Sequence, residues 1–172
     1  LTLQQPLNNI ARLGIMATAC ALGGAGEAMT TPLYDEAHAL PAENAIRVGA
    51  AIQHIVAHET GVAETIDPLA GSYYVETLTK QIEAAAFAEL DKVFEMGGAL
   101  RAIETGYFQR MLGREQYERN KDIEEGRRKW VGVNHLVQPD EKREIEIFRL
   151  DDSVEDEQVR KVRELRAGRD QA

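Results

Sequence analysis

Apolar residues recur at helical spacing over three stretches of the first hundred positions, and glycine or proline separates the stretches. Leu7, Ile10, Ala11, Leu13, Gly14, Ala17 and Ala21 predict a largely buried helix from about Pro6 to Leu22, closed by the Gly23-Gly24 pair. A small-residue strand is expected near Glu27 to Thr31. Pro41 suits the first turn of a second helix reaching about His58, with Ala45, Val48, Ile52, Ile55 and Val56 facing inward. Val62 and Ile66 suit a short buried strand that Pro68 and Gly71 break. From Val75 onward, Leu78, Ile82, Ala86, Leu90 and Val93 follow helical spacing again. Strands separated by single helices at such spacings predict parallel pairing, because a parallel connection needs a crossover helix. The segment from Ile66 to Thr79, IDPLAGSYYVETLT, therefore reads as one βα unit of an α/β barrel, a fold whose chemistry sits in such loops.

The pattern changes after Gly97-Gly98. Arg, Glu, Lys and Gln dominate as far as Lys129, which predicts two surface helices. Trp130 to Asn134 reads as a short strand, Ile145 to Leu150 alternates like an edge strand, and Val154 to Gly168 predicts a charged helix with a thin apolar stripe. The expected organisation is two parts: residues 1–98 as βα units, and residues 99–172 as a mostly helical extension ending in a wrapping arm. The arm has too little apolar surface to hold a core alone.

Length sharpens this picture. The 172 residues are 44% hydrophobic, enough for a core, yet fall short of the roughly 250 residues of a complete eight-stranded barrel. Because the chain opens at Leu1 inside a patterned segment, it reads as the middle of something longer. A net charge of -9 argues against nucleic acid as a partner. Residues 10 to 25 are too short to span a bilayer and are interrupted by Arg12, so no membrane segment is expected. The single cysteine, Cys20, excludes an intrachain disulfide framework and suits the reducing cytoplasm.

Several polar residues could carry chemistry. Asp35 and Glu36 follow an expected strand end, where acidic side chains either cap the next helix or meet a ligand. Asp67 before Pro68 suits a turn, and Tyr73 and Tyr74 at a helix start are more often structural than ligand-binding. The amides of Gln4, Gln5, Asn8 and Asn9 more often satisfy local backbone groups than bind substrate. His54 and His58 share a helix one turn apart but lack a neighbouring carboxylate pattern, so no metal site is expected; His58 suits a helix C-terminus. His38 and His135 carry no assignment from sequence.

Five segments in register resemble the methylmalonyl-CoA mutase family: LTLQQPLNNIAR at 1 to 12, LYDEAHALP at 33 to 41, HETGVAETIDPLAGSYYVETLT at 58 to 79, GGALRAIETG at 97 to 106 and VGVN at 131 to 134. The closing LDDSVEDEQVRKVRELRAGRD is similar to the segment that follows the barrel in these enzymes. The resemblance implies the C-terminal portion of a (β/α)8 TIM-type barrel followed by a helical, charged tail. It also implies an adenosylcobalamin-dependent isomerase acting by radical chemistry on a short acyl-CoA. By the same resemblance Glu36 and Ala39, in the family's DEAxALP motif, are the cofactor-binding residues, Glu36 accepting from ribose hydroxyls.

The partners so implied are the remaining barrel segment or subunit and a cobalamin-binding domain or subunit, in a hetero-oligomer. None of the four histidines sits in the Asp-x-His-x-x-Gly pattern of a cobalamin domain, and Val56 stands where His58 would need the aspartate. Between Gly24 and Asp35 the chain reads AGEAMTTPLY, where family members commonly carry a shorter segment with a Gln-Ser pair and a histidine. Met29, Thr30, Thr31 and Pro32 therefore bear on which acyl group is taken. The family's thioester-positioning residues would lie upstream of Leu1, so no catalytic residue is assigned. The rival reading is a non-catalytic remnant or docking module, motivated by the charged stretch from Arg101 to Arg128.

Overall fold

A computed structural model describes residues 1–24, 30–141 and 145–169. Its elements are α1 (Asn8–Leu22), α2 (Glu43–Glu59), a 3-10 turn (Val62–Glu64), α3 (Tyr73–Glu95), α4 (Ala99–Glu104), α5 (Tyr107–Glu124) and α6 (Asp152–Ala167). Helices thus form where the periodicity placed them. Gly23 ends α1 by donating to the Ala19 carbonyl at 3.0 Å, and Gly24 follows at φ 61°, a conformation that favours glycine. Helix α2 opens two residues after Pro41, with Ala42 as its N-cap, so Pro41 lies outside the first turn where it was expected.

The core lies between α1 and α2. Leu13 and Ala17 on α1 meet Ala45, Ile52 and Val56 on α2 and Tyr34 from the segment between them. Half-buried Leu33, Val48 and Val62 close its edges, and Ile145 brings the arm against it. Gly49, facing Leu33, has no room for a side chain without moving that leucine.

No strand forms among the described residues, which corrects the expected β segments. Val62 to Ile66 is a 3-10 turn and an irregular stretch, with Val62 tucked toward the core and Ile66 97% exposed. Trp130 to Asn134 is a turn bearing one isolated bridge, Val131 to His135, and residues 145–150 are irregular. A strand gains its hydrogen bonds only from a neighbour, and beyond that single bridge none of these segments has one among the described residues. Of the first expected strand, residues 27–29 lie outside the described residues, and Thr30 and Thr31 are irregular.

The second half is held by polar staples. The Tyr107 hydroxyl on α5 donates to the Glu89 carboxylate on α3, and Lys92 donates to the same carboxylate at 2.8 Å. These contacts hold the Glu89 carboxyl below the usual range, Lys92 first and Tyr107 second, and raise the Tyr107 hydroxyl. The Asn134 amide closes α5, donating to the Ile123 and Arg128 carbonyls at 2.7 and 2.8 Å, while its oxygen takes the Trp130 N–H. The Arg119 guanidinium lies 5.5 Å from the centre of the Trp130 ring. On α3, Leu78, Ile82, Phe87, Leu90 and Phe94 remain exposed.

Candidate functional site

The segment from Leu33 to Ala42 links α1 to α2, and its shape follows from three backbone anchors. The Glu36 N–H donates to the Leu33 carbonyl at 3.1 Å, and the His38 and Ala39 N–H groups both donate to the Asp35 carbonyl, at 2.8 and 3.4 Å. The chain therefore turns tightly around Asp35. The Asp35 side chain is 2% exposed and its Oδ2 accepts the Ala42 N–H at 2.8 Å, tying the turn to the start of α2.

Sequence left capping and ligand contact open for this acidic pair, and the structure divides them. Asp35 faces inward and holds the helix start, whereas Glu36 is exposed and its carboxylate has no hydrogen bond or ion pair among the described residues. Such a carboxylate is free to accept two hydroxyl donors of a sugar. Ala39, half-buried, lies on the same turn, so the two residues expected to bind cofactor share one loop. Asp35 Oδ1 and His38 Nε2 are buried side-chain atoms without a hydrogen-bond partner among the described residues, and both belong to this turn.

A second anchor comes from α1. Asn9 is fully buried; its Nδ2 donates to the Tyr34 carbonyl and the Thr2 carbonyl, each at 2.9 Å. Its Oδ1 accepts from Thr2 N at 3.0 Å and from Arg12 at 2.7 Å. Arg12 in turn donates to Thr2 Oγ1 at 2.6 Å and to the Val131 carbonyl at 2.7 Å. Gln5 reaches the Leu136 carbonyl at 2.9 Å, and Asn8 donates to Gln5 Oε1 at 2.7 Å. Gln5, Asn8 and Asn9 are thus used internally, as amides opening a helix commonly are. Gly132, at φ 82°, passes so close to Gln5 that a Cβ there would lie 3.2 Å from its amide carbon. Periodicity did not single out the Asn9 link. Its signal was a polar residue four positions before Leu13 and eight before Ala17, on the buried stripe.

The remaining candidates lie apart from this turn. Asp67 takes φ 45° and its carbonyl accepts the Ala70 N–H at 3.1 Å, so it forms a turn, and Tyr73 and Tyr74 are largely exposed. His54 and His58 stack with ring centres 5.7 Å apart on the exposed side of α2. Among the described residues no group of three or more His, Cys, Asp or Glu could hold a metal, and no helix is long and apolar enough to cross a membrane. Of the four residues tied to the acyl group, Thr30 to Pro32 enter this segment and Met29 lies outside the described residues. Two shallow apolar grooves run along α1, one of about 390 Å³ between Arg12 and Trp130; Glu36 lines neither.

Comparison with known proteins adds the ancestry. The family model for methylmalonyl-CoA mutase matches residues 1–172. The 2-hydroxyisobutanoyl-CoA mutase large subunit of Aquincola tertiaricarbonis is 40% identical over 172 residues, covering all of this chain and 30% of that protein. The methylmalonyl-CoA mutase of Escherichia coli is 38% identical over 173 residues, covering all of this chain and 24% of that protein. A probable methylmalonyl-CoA mutase large subunit of Mycobacterium bovis is 38% identical over 172 residues, with 99% and 23% covered. The chain spans between a quarter and a third of the first of these relatives and about a quarter of the others. On the whole-length match, the chain belongs to the methylmalonyl-CoA mutase family.

Proposed function

We propose that this chain is part of an adenosylcobalamin-dependent acyl-CoA mutase, contributing a late portion of its barrel and the following arm. The observation that carries the reading is the family match along every residue, with the DEAxALP turn intact as Asp35 to Pro41. The rest of the barrel and a cobalamin-binding domain or subunit complete the site, in a cytoplasmic hetero-oligomer. Two of the relatives are named large subunits, which supports a partner subunit.

The turn fits the cofactor's sugar. Glu36 offers an exposed carboxylate with no competing cation beside it among the described residues, and Ala39 offers a small side chain that permits close approach. When bound, adenosylcobalamin supplies the radical chemistry of the isomerisation. This chain's part is to bind and orient: Glu36 accepts from the ribose hydroxyls, and the α1–α2 core holds the turn rigid. Closing the barrel over the substrate excludes water, which such chemistry requires. Met29, Thr30, Thr31 and Pro32, which precede the turn in the sequence, would bear on the acyl group, a short acyl-CoA.

The test is reconstitution of the complete assembly, with adenosylcobalamin binding followed by absorbance and isomerisation of methylmalonyl-CoA and 2-hydroxyisobutanoyl-CoA followed by product analysis. Binding together with conversion of one of them supports the reading. Failure of both binding and conversion overturns it.

A further inference from the structure

We propose that Asp35 is a positioning residue for cofactor binding, acting through Glu36 rather than by touching the cofactor; this rests on the reading of Glu36 above. The turn carrying Glu36 is fixed at both ends by side chains withdrawn from solvent. Asn9 Nδ2 holds the Tyr34 carbonyl at 2.9 Å on one side, and Asp35 Oδ2 holds the Ala42 N–H at 2.8 Å on the other. Between them the Asp35 carbonyl takes the His38 and Ala39 N–H groups. Glu36 itself contributes only its backbone, so its side-chain direction is set by what Asp35 and Asn9 hold. With the backbone of the turn already held, only the Glu36 side chain remains to be ordered when it meets two hydroxyls, which lowers the entropy cost of binding.

The arrangement uses one carboxylate oxygen and leaves the other, Oδ1, buried without a partner among the described residues. Charge at Asp35 is therefore not what the turn requires. An isosteric amide can keep its oxygen on the Ala42 N–H and place its NH2 where Oδ1 stands, so Asp35→Asn preserves the turn. Asp35→Ala releases the Ala42 N–H and frees the turn from α2.

The experiment measures the dissociation constant of adenosylcobalamin in the complete mutase by equilibrium dialysis, with acyl-CoA binding measured in parallel. Asp35→Ala is expected to weaken adenosylcobalamin binding about tenfold, the scale of one lost buried hydrogen bond. Acyl-CoA binding should stay within about twofold, and Asp35→Asn should restore most of the loss. In a Glu36→Ala background, Asp35→Ala should add almost nothing, because a residue that acts through another is not additive with it. Asp151→Ala, which removes the N-cap bond of α6 away from this turn, should fray that helix without moving the cofactor constant.

Should Asp35→Ala not fold, Asp35→Ser keeps a polar group in the turn but is too short to span to the Ala42 N–H, and should reproduce the tenfold loss. Full additivity with Glu36→Ala would overturn the inference, as would an unchanged cofactor constant in Asp35→Ala or in its substitute. A wild-type assembly that binds no adenosylcobalamin would instead overturn the mutase reading itself.

Discussion

Replacing Asn9 by alanine removes the polar hub between the chain's first residues, α1 and the turn before α2. Thr2 N–H and the Tyr34 carbonyl, each belonging to a residue 4% exposed, lose their Asn9 partner, and the Thr2 carbonyl loses its own. Each buried group left unsatisfied costs about 1–3 kcal/mol, so three such groups give an upper range of about 3–9 kcal/mol. Thr2 lies near the start of the described chain and can hydrate by loosening, whereas Tyr34 is fixed by the core; this places the expected loss near 3 kcal/mol. Arg12 keeps its bonds to Thr2 Oγ1 and the Val131 carbonyl, which limits the damage.

Trp130, the single tryptophan, follows Arg128 and Lys129 into the turn that Arg12 holds, so its fluorescence reports the same region. Urea unfolding in dilute solution, read by Trp130 fluorescence and circular dichroism together, should show a lower midpoint with an unchanged slope. In a thermal scan the same loss corresponds to a fall of about 6–12 °C. Asn9→Asp should be about as harmful, because its second oxygen would face the Thr2 and Tyr34 carbonyls. A loss under about 0.5 kcal/mol, the range of ordinary surface substitutions, would refute the assignment of Asn9 as a structural hub.

Further outcomes follow from the packing. Gly49→Ala should cost about 1–3 kcal/mol by overpacking against Leu33, measured by the same unfolding curves. The Glu89 carboxyl is held below its ordinary value of 4.5, so its contribution is present above that pH and lost as pH falls through the lowered value. Tyr107, raised above 10.0, keeps its contribution below that pH and loses it as pH rises through the raised value. Amide protection at the α3–α5 contact, taken relative to the intrinsic exchange rate at each pH, should therefore fall toward both extremes, and Glu89→Gln should flatten the acid arm. Asp151→Ala removes the carboxylate that accepts the Ser153 N–H at 2.9 Å, and should fray the first turn of α6 in exchange measurements without altering the core. The exposed stripe on α3 should drive association of the chain alone, and Leu78→Glu with Ile82→Glu should reduce it in sedimentation experiments.

The helices were legible because they satisfy their own hydrogen bonds. Residues 8–22, 43–59, 73–95 and 152–167 form them within a few positions of the periodic signal, and glycine marks the end of α1 as read. The β segments were not, because strand patterning declares only a readiness to pair. Val62 to Ile66 has the composition of a buried strand, but without a neighbour it turns and leaves Ile66 in water. In the turn, acidic residues at a helix start were visible, yet sequence could not say which one faces inward; burial of Asp35 and exposure of Glu36 divide the tasks. Asn9 was legible as part of an amide cluster, while its link to a carbonyl 25 residues later depends on the packing of α1 beside that turn.

On the proposed reading the chain completes an adenosylcobalamin-dependent acyl-CoA mutase. Its most direct test is the complete assembly incubated with adenosylcobalamin and each acyl-CoA, with product resolved by mass spectrometry and Glu36→Ala run beside the wild type. Isomerised product from one of them, dependent on the cofactor, is expected, with a large loss of cofactor affinity in Glu36→Ala. An assembly that binds no corrinoid and leaves every short acyl-CoA unchanged would contradict it.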